Sequence, residues 1–431
     1  MTLSQTETAT LPCAASARRR RYLGMLAPAL LTAASLPVLT EVVRAQSAPA
    51  PAAAPTGWVS GIKLSAQFEG GIVFNAMRPE DAENNGQLFT DKNGQAQLNQ
   101  ILLTAERDPD PKAAGYDFGF KFQFLYGSDA RYLHYLGEFN HLIDSRYQIS
   151  VIEANAAAHL PWLTAGGMDV KLGQFATPLG YEVIDPKGNP FYSHSYIFNF
   201  GLPFTHTGLL TETHVSSLVD VYLGADTGVN TTFAGGDEND EPGGIAGIGL
   251  NFSDSLTFLA LTHIGPEDSR LVTPLANSAM RYLNDAYLTW KASDKLSFTT
   301  ELNYIREEAF RAEGYGVAQY ASYALTDTLT LNGRAEVWRD NAGFYVASFP
   351  GNLDYIKAEL GLPNTAIPTP RTTYGEVTLG VTYKPGLPAP ISTLMIRPEI
   401  RYDRALNGRM AFSGGRNSDA FTVAADAILG F

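Results

Sequence analysis

The sequence contains almost no cysteine and, beyond its amino terminus, no long apolar run. Its one cysteine, Cys13, lies in a stretch typical of a targeting signal, so disulfides and thiol chemistry are excluded from the rest of the chain. Basic residues are also scarce, with 31 Lys and Arg against 44 Asp and Glu and a net charge of −13. Nucleic-acid binding, which needs basic surface, is therefore excluded. A membrane-spanning helix, which needs about 20 apolar residues, is not predicted either.

The amino terminus predicts a cleaved signal peptide. Arg18–Arg21 form a positive region, Leu23–Leu39 form an apolar region, and cleavage is expected after Ala45. A membrane anchor is the alternative, but Pro28 and Pro37 interrupt the apolar run, which is short for a bilayer helix. The predicted division is a signal peptide over residues 1–45, an Ala/Pro linker over 46–56 and a folded part over 57–431.

From residue 57 onward, apolar and polar residues alternate in segments of about ten. In Tyr116–Tyr126 every second residue is aromatic, and in Phe421–Phe431 every second residue is apolar. Lipid-facing and lumen-facing residues alternate in this way along the strands of an outer-membrane barrel. A soluble sandwich or propeller also alternates, but a sandwich of this length would need several domains, and no internal linker is visible. Charged residues predicted to face the lumen are Lys121, Arg334, Glu336, Arg397, Glu399 and Arg401.

Counting these segments predicts sixteen strands. They are 57–73, 97–107, 115–126, 148–160, 167–176, 205–213, 216–225, 243–252, 255–264, 281–291, 295–306, 314–325, 327–339, 373–384, 392–403 and 420–431. The connections after odd strands are mostly long and those after even strands are short, with 307–313 as the exception. An even strand number with long external loops and tight periplasmic turns is the outer-membrane pattern. The predicted fold is an all-β, transmembrane, antiparallel up-and-down barrel of about 16 strands.

The third long connection lies within Gly173–Gly208, which is aromatic and rich in Pro and Gly. It reads GQFATPLGYEVIDPKGN, then YSHSY, then PFTHTG. This motif resembles that of the outer-membrane β-barrel porins called OmpL-like, and weaker likeness extends from about Ile62 to Phe431. The resemblance implies a water-filled channel for passive diffusion of small hydrophilic solutes and ions in a Gram-negative outer membrane. It implies no cofactor, contact with outer-membrane lipids and lipopolysaccharide, and a homotrimer. The final Phe431 resembles the signal that outer-membrane assembly machinery recognises.

In porins of this size the third external loop folds inward, so the resemblance and the strand count together predict a pore constriction at 177–204. The residues expected to form it are Glu182, Asp185, Lys187, His194 and His206, opposite the lumen-facing charges named above. Carboxylates opposite guanidinium groups create a transverse field that orders polar solutes. The alternative is that these residues pair with each other and hold the loop in place.

An enzyme is the rival hypothesis. The same connection supplies the ingredients of a hydrolase triad, namely Ser193, His194, Ser195, His206 and Asp185. An outer-membrane lipase or protease is therefore the alternative function, although triads are defined by geometry and no Gly-x-Ser-x-Gly elbow is present. Calcium binding is indicated only weakly, with Asp237 and Asp240 of an acidic loop as candidates. That loop lacks the spacing of an EF-hand, so a solvated acidic tip is favoured.

Overall fold

The computed structural model describes residues 57–140, 144–232 and 239–431. The predicted signal peptide and linker lie outside the described residues. The strands are β1 Lys63–Asn75, β2 Gln97–Arg107, β3 Asp117–Gly127, β4 Gln148–Leu160, β5 Met168–Ala176, β6 Thr205–His214, β7 Val219–Val229, β8 Gly243–Ser253, β9 Leu256–Gly265, β10 Arg281–Lys291, β11 Leu296–Glu307, β12 Ala312–Thr326, β13 Leu329–Asp340, β14 Ala347–Ser348, β15 Ile367–Pro368, β16 Thr372–Tyr383, β17 Thr393–Ala405 and β18 Asp419–Gly430.

Sixteen of these strands form one closed antiparallel barrel. Each pairs with its neighbours in the chain, β13 pairs with β16, and β18 closes the ring against β1 with Val423 opposite Phe74. The other two strands, β14 and β15, form a separate short hairpin. The predicted all-β barrel of sixteen strands is confirmed. The first strand begins at Lys63, later than predicted, because Trp58–Gly61 form a 3-10 helix.

The two faces of the barrel differ as the alternation predicts, and β17 shows this most clearly. Its outward residues Ile396 and Ile400 are 38% and 45% exposed, whereas the intervening Arg397 and Glu399 are buried. Exposed apolar residues lie on the outer face all around the ring, namely Phe118, Leu172, Leu223, Leu302, Leu379 and Val423. An apolar outer band and a polar interior are what a barrel needs in a lipid bilayer.

The long connections all lie at one end of the barrel and the short turns at the other. β11 and β12 are joined by only four residues, which agrees with the predicted exception. The connection between β13 and β16 contains the short hairpin and a helix that the sequence did not indicate. The helical elements are the 3-10 helices Trp58–Gly61, Asp129–Arg131 and Pro186–Gly188, the π-helix Ile197–Gly201 and the α-helix α1 Asp354–Glu359. Among the described residues, no helix combines the length and apolar character needed to span a bilayer.

Candidate functional site

The connection between β5 and β6, the 177–204 segment, is buried although it lies outside the barrel strands. Its aromatic residues Phe191, Tyr192 and Tyr196 are at most 3% exposed. Its hydrogen bonds reach inward-facing side chains of β1, β2, β11, β12, β13 and β17. In a ring of sixteen strands, β13 stands eight strands away from β5. The segment therefore reaches from one side of the barrel to the other.

Local contacts shape the segment before it meets the strands. Asp185 caps the 3-10 helix Pro186–Gly188, because its side chain accepts a hydrogen bond from the backbone N–H of Lys187 at 3.1 Å. The side chain of Asn189 then pairs with both backbone groups of Val183, at 2.9 Å to the nitrogen and 2.6 Å to the oxygen. These bonds close residues 183–189 into a tight loop.

Strand carboxylates satisfy the segment's backbone N–H groups in pairs. Glu399 on β17 accepts from residues 192–193, at 2.8 and 3.2 Å. Glu336 on β13 accepts from residues 196–197, at 2.7 and 2.9 Å. A buried N–H without a partner costs about as much as a lost hydrogen bond, so these two carboxylates remove the main obstacle to burying this backbone.

Strand arginines satisfy the segment's carbonyl groups in the same way. The bonds run from Arg334 Nη1 to Ser193 O at 2.9 Å, from Arg397 Nη1 to Pro186 O and Asn189 O, both at 2.8 Å, and from Arg401 Nη1 to His194 O at 2.6 Å. Guanidinium groups also lie over aromatic rings, with Arg334 5.1 Å from the Phe191 centroid and Arg401 5.4 Å from that of Tyr196. The strand arginines thus donate to the segment's carbonyl groups, and the strand carboxylates accept from its N–H groups.

Glu182 is the charged centre of the segment. Its carboxylate lies 2.5 Å from His194 Nδ1 and 2.8 Å from Arg334 Nη1, and it accepts from the Tyr320 hydroxyl at 3.0 Å. Burial raises the pKa of Glu182, but the Arg334 guanidinium and the hydrogen-bonded His194 outweigh burial and bring it to about 2. The carboxylate is therefore ionised at neutral pH, which is the state that the network requires.

The predicted site residues do not all belong to one network. Glu182, His194 and all the predicted strand charges except Lys121 belong to the buried network just described. Asp185 and Lys187 form a partly exposed pair at 3.5 Å, with Gln67 of β1 donating to Asp185 at 3.0 Å. Lys121 lies apart from the network, 3.6 Å from Glu153, and its side chain is 30% exposed.

His206 does not join the predicted loop group, and this expectation is corrected. It lies in β6, where the alternation of the strand turns its ring inward, and Nδ1 lies 2.7 Å from Asp226. Asp226 also pairs with His263 at 3.0 Å, and all three side chains are fully buried. The second ring nitrogen of His206 lies 3.1 Å from the hydroxyl of Thr177. These bonds join three strands to the base of the segment.

The sequence missed several partners of the segment. Glu301 accepts from Tyr181 N at 2.8 Å, and Asn303 donates to Gly201 O at 3.0 Å. Both alternate with outward apolar residues, as Arg334 does, so the sequence predicts that they face inward but does not indicate that they contact the segment. Tyr320 is harder to identify from the sequence, because the pattern of residues does not distinguish an inward-facing tyrosine from the aromatic residues that face lipid.

The serine and histidine residues do not form a triad. Ser195 Oγ accepts from Phe198 N at 3.0 Å and Ser193 Oγ from Arg334 at 3.4 Å. His194 pairs with Glu182, which was not among the predicted triad residues. Within the described ranges, no serine hydroxyl of the segment is hydrogen-bonded to an imidazole.

Among the residues that the structure describes, two groups of side chains have ligand atoms close enough to hold a metal ion, within 4.8 Å of one another. They are His206 with Asp226 and His263, and Glu212 with His214 and Asp220. In the first group, hydrogen bonds to both imidazoles occupy the carboxylate. Of the predicted calcium candidates, Asp237 lies outside the described residues, and Asp240 is exposed and pairs with Arg270 at 2.9 Å.

Comparison with solved structures identifies porins of the same fold. OprB of Pseudomonas putida is 12% identical with a TM-score of 0.51, over 86% of this chain and 94% of that one. OmpF of Salmonella typhi is 11% identical with a TM-score of 0.51, over 86% and 97% of the two chains. An anion-selective porin from Comamonas acidovorans is 8% identical with a TM-score of 0.50, over 86% and 99%. At these identities the likeness establishes the fold alone.

Comparison with protein families gives the closer relationship. No curated protein matches the sequence. One family model, described as "Putative beta-barrel porin-2, OmpL-like", matches residues 61–431, which include every barrel strand. The predicted relationship is confirmed, and with it a location in the Gram-negative outer membrane. The chain belongs to the OmpL-like β-barrel porin family.

Proposed function

We propose that the protein is an outer-membrane channel for passive diffusion of small hydrophilic solutes and ions, narrowed by the 177–204 segment. The observation that carries this proposal is a closed sixteen-stranded barrel with a charged interior. Barrels of this size enclose an aqueous lumen. A segment that reaches across such a lumen restricts what passes beside it.

The buried network acts as the anchor of the constriction. Arg334, Glu336, Arg397, Glu399 and Arg401 are at most 4% exposed, and each bonds to the segment's backbone. Side chains so enclosed are poorly placed to attract a passing ion. The geometry thus favours the alternative in which these charges hold the segment in place.

The solute path is proposed to run along inward-facing side chains that the segment leaves partly exposed. They include Glu106, Lys121, Asp169 and Lys171 on the strands, together with Asp185 and Lys187 of the segment itself. The set contains three carboxylates and three ammonium groups. Such a balance gives a channel with weak selectivity between anions and cations.

The enzyme alternative has little geometric support. The described residues contain one hydroxyl–imidazole–carboxylate chain, Thr177–His206–Asp226. His206 and Asp226 are enclosed in the barrel wall, where no substrate can take up the position that a nucleophile attacks. We therefore propose transport, not hydrolysis, as the activity.

Two partners are proposed alongside the channel. The exposed apolar outer face would contact outer-membrane lipids, and the long loops would contact lipopolysaccharide. A homotrimer is proposed on family resemblance alone. Light scattering of the refolded protein in detergent would give a trimer mass after subtraction of bound detergent, and a monomer mass would contradict it.

Single-channel recording in a planar bilayer tests the function. The refolded chain should give steady, ohmic openings with a small reversal potential in a salt gradient. Lys121→Glu should shift that potential toward cation preference, because it replaces a positive charge on the proposed path with a negative one. Lys112→Glu, in the exposed turn between β2 and β3, should leave the potential unchanged. A folded barrel that never conducts would refute the channel.

A further inference from the structure

A cavity of about 410 Å³ lies on the long-connection side of the barrel, against residues 199–203 of the 177–204 segment. Aromatic side chains form much of its wall, namely Phe200, Phe310, Phe344, Tyr345, Phe349 and Tyr355. Phe310 and Phe344 stack with their centroids 5.0 Å apart, and each is 38% exposed. The cavity is as large as the smaller pockets that bind small molecules, which span roughly 300–1,000 Å³.

The charged residues of this cavity are unbalanced. Arg281 is the one basic residue among those that line it. Two carboxylates already neutralise its guanidinium group, with Glu307 Oε2 at 2.8 Å and Asp268 Oδ1 at 3.3 Å. Glu267 and Glu359 also line the cavity. Four carboxyl groups therefore surround a single guanidinium group.

The remaining carboxylate oxygens at this cavity are incompletely paired. Glu267 Oε2 accepts from Val229 N at 2.8 Å, but Oε1 is buried without a hydrogen-bonding partner and lies 3.7 Å from His263 Nδ1. Asp268 Oδ2 also lacks a donor. The carboxylate of Glu359 forms no hydrogen bond or ion pair among the described residues. Buried carboxylate oxygens are normally paired, so Glu267 Oε1 and Asp268 Oδ2 can each accept a hydrogen bond that the described residues do not donate.

The protonation equilibria agree with this geometry. Burial raises the pKa of Glu267 to about 7. Burial, opposed by Arg281 and reinforced by the nearby Glu307, raises the pKa of Asp268 to about 7. Burial likewise raises the pKa of Glu359. A cation bound beside these groups would favour their ionised forms.

We propose that this cavity binds an organic cation, with its ammonium group beside Glu267 and Asp268 and its apolar body between the aromatic walls. Aromatic rings stabilise ammonium groups through cation–π attraction, and an apolar body gains by leaving water. A hard metal ion is disfavoured, because it needs six or more oxygen ligands and much of this wall is aromatic. A role of this cavity in capturing a transported solute depends on the proposed channel function. Binding of the cation does not depend on it.

Calorimetric titration of the refolded barrel in detergent at pH 8 tests the site. The probe is 2-phenylethylammonium. The comparison compounds are 2-phenylethanol, which has the body without the charge, methylammonium, which has the charge without the body, and Ca²⁺. The variants are Glu267→Gln, which removes the charge, and Phe344→Leu, which removes a wall of the cavity. Asp294→Asn, in a turn at the opposite end of the barrel, is the matched charge control.

The probe should bind the unmodified barrel and the control variant alike. Its affinity should fall at least tenfold in Glu267→Gln and measurably in Phe344→Leu, and both simpler compounds should bind at least tenfold more weakly. Equal binding of 2-phenylethanol, an unaffected Glu267→Gln variant, or binding of Ca²⁺ alone would overturn the proposal. Heat-modifiability on gels shows that each variant is folded. Binding in detergent without conductance in a bilayer would support the binding site and refute the channel. Conductance without binding would support the channel and refute the binding site.

Discussion

Replacing Arg334 with methionine should release the 177–204 segment. The guanidinium group lies 2.8 Å from Glu182, 3.0 Å from Glu376 and 2.9 Å from the Ser193 carbonyl oxygen. Methionine approximates the volume of the arginine stem but carries no charge. The variant therefore removes the guanidinium group that joins Glu182 of the segment to the wall of β13 and β16.

The free-energy cost of this substitution follows from the burial of the Arg334–Glu182 ion pair. The side chains of Arg334 and Glu182 are at most 2% exposed. Removing one partner of a buried ion pair costs about 3–5 kcal/mol, because the remaining charge stays buried without compensation. At about 4 kcal/mol, the equilibrium between anchored and detached segment shifts by roughly 10³. A shift of this size is large enough to detect in the folded protein.

Two assays report the detached state. Trypsin should cleave after Lys187 faster than in the unmodified protein, since proteolysis of a locally opened segment follows the population of the open form. Single channels should show a larger mean conductance with rapid fluctuations. Both effects should appear in a barrel that remains heat-modifiable.

Arg404→Met is the matched control. Arg404 lies on β17, is exposed, and takes part in no described side-chain hydrogen bond or ion pair. The same chemical change there should alter neither the cleavage rate nor the conductance. If folded Arg334→Met behaves like Arg404→Met in both assays, the network does not anchor the segment.

Two further predictions concern stability in urea. Because the pKa of Glu182 is lowered to about 2 in the fold, its ionised form stabilises the protein above the unfolded pKa of about 4.3, and this contribution is lost as pH falls toward 2. The gap in unfolding free energy between the unmodified protein and Glu182→Gln should therefore shrink by about 3 kcal/mol between pH 7 and pH 2, and a constant gap would contradict the assigned pKa. Gly71→Ala should cost about 1–3 kcal/mol, since its methyl would lie 2.5 Å from the ring of Tyr192 and 2.8 Å from the backbone oxygen of Ala425. Gly386→Ala, with no atom within 4 Å of the added methyl, should leave the free energy of unfolding unchanged. Equal effects of the two substitutions would show that the segment does not pack closely against β1.

The barrel could be predicted because its signal is local. Side-chain direction in a strand has a period of two, so Leu394–Tyr402 alone identifies which of its residues face lipid and which face inward. The lengths of the connections then orient the barrel. Neither inference needs knowledge of which strands meet in space.

The anchoring contacts could not be predicted in the same way. Arg397 bonds to Pro186, 211 positions away in the chain, and alternation indicates that this arginine faces inward without indicating what it meets. The partners of His206 could not be predicted for a related reason. Its neighbours Asp226 and His263 lie on other strands, and the register that aligns them depends on strand pairing, which a list of strands does not contain.

We propose above that the 177–204 segment narrows an aqueous pore. Deleting residues 185–199, joined by a short glycine linker, and comparing single-channel conductance with that of the unmodified chain tests it most directly. Both proteins should give ohmic openings, and the deletion variant should have the larger conductance. Equal conductances from two folded, heat-modifiable barrels would contradict it.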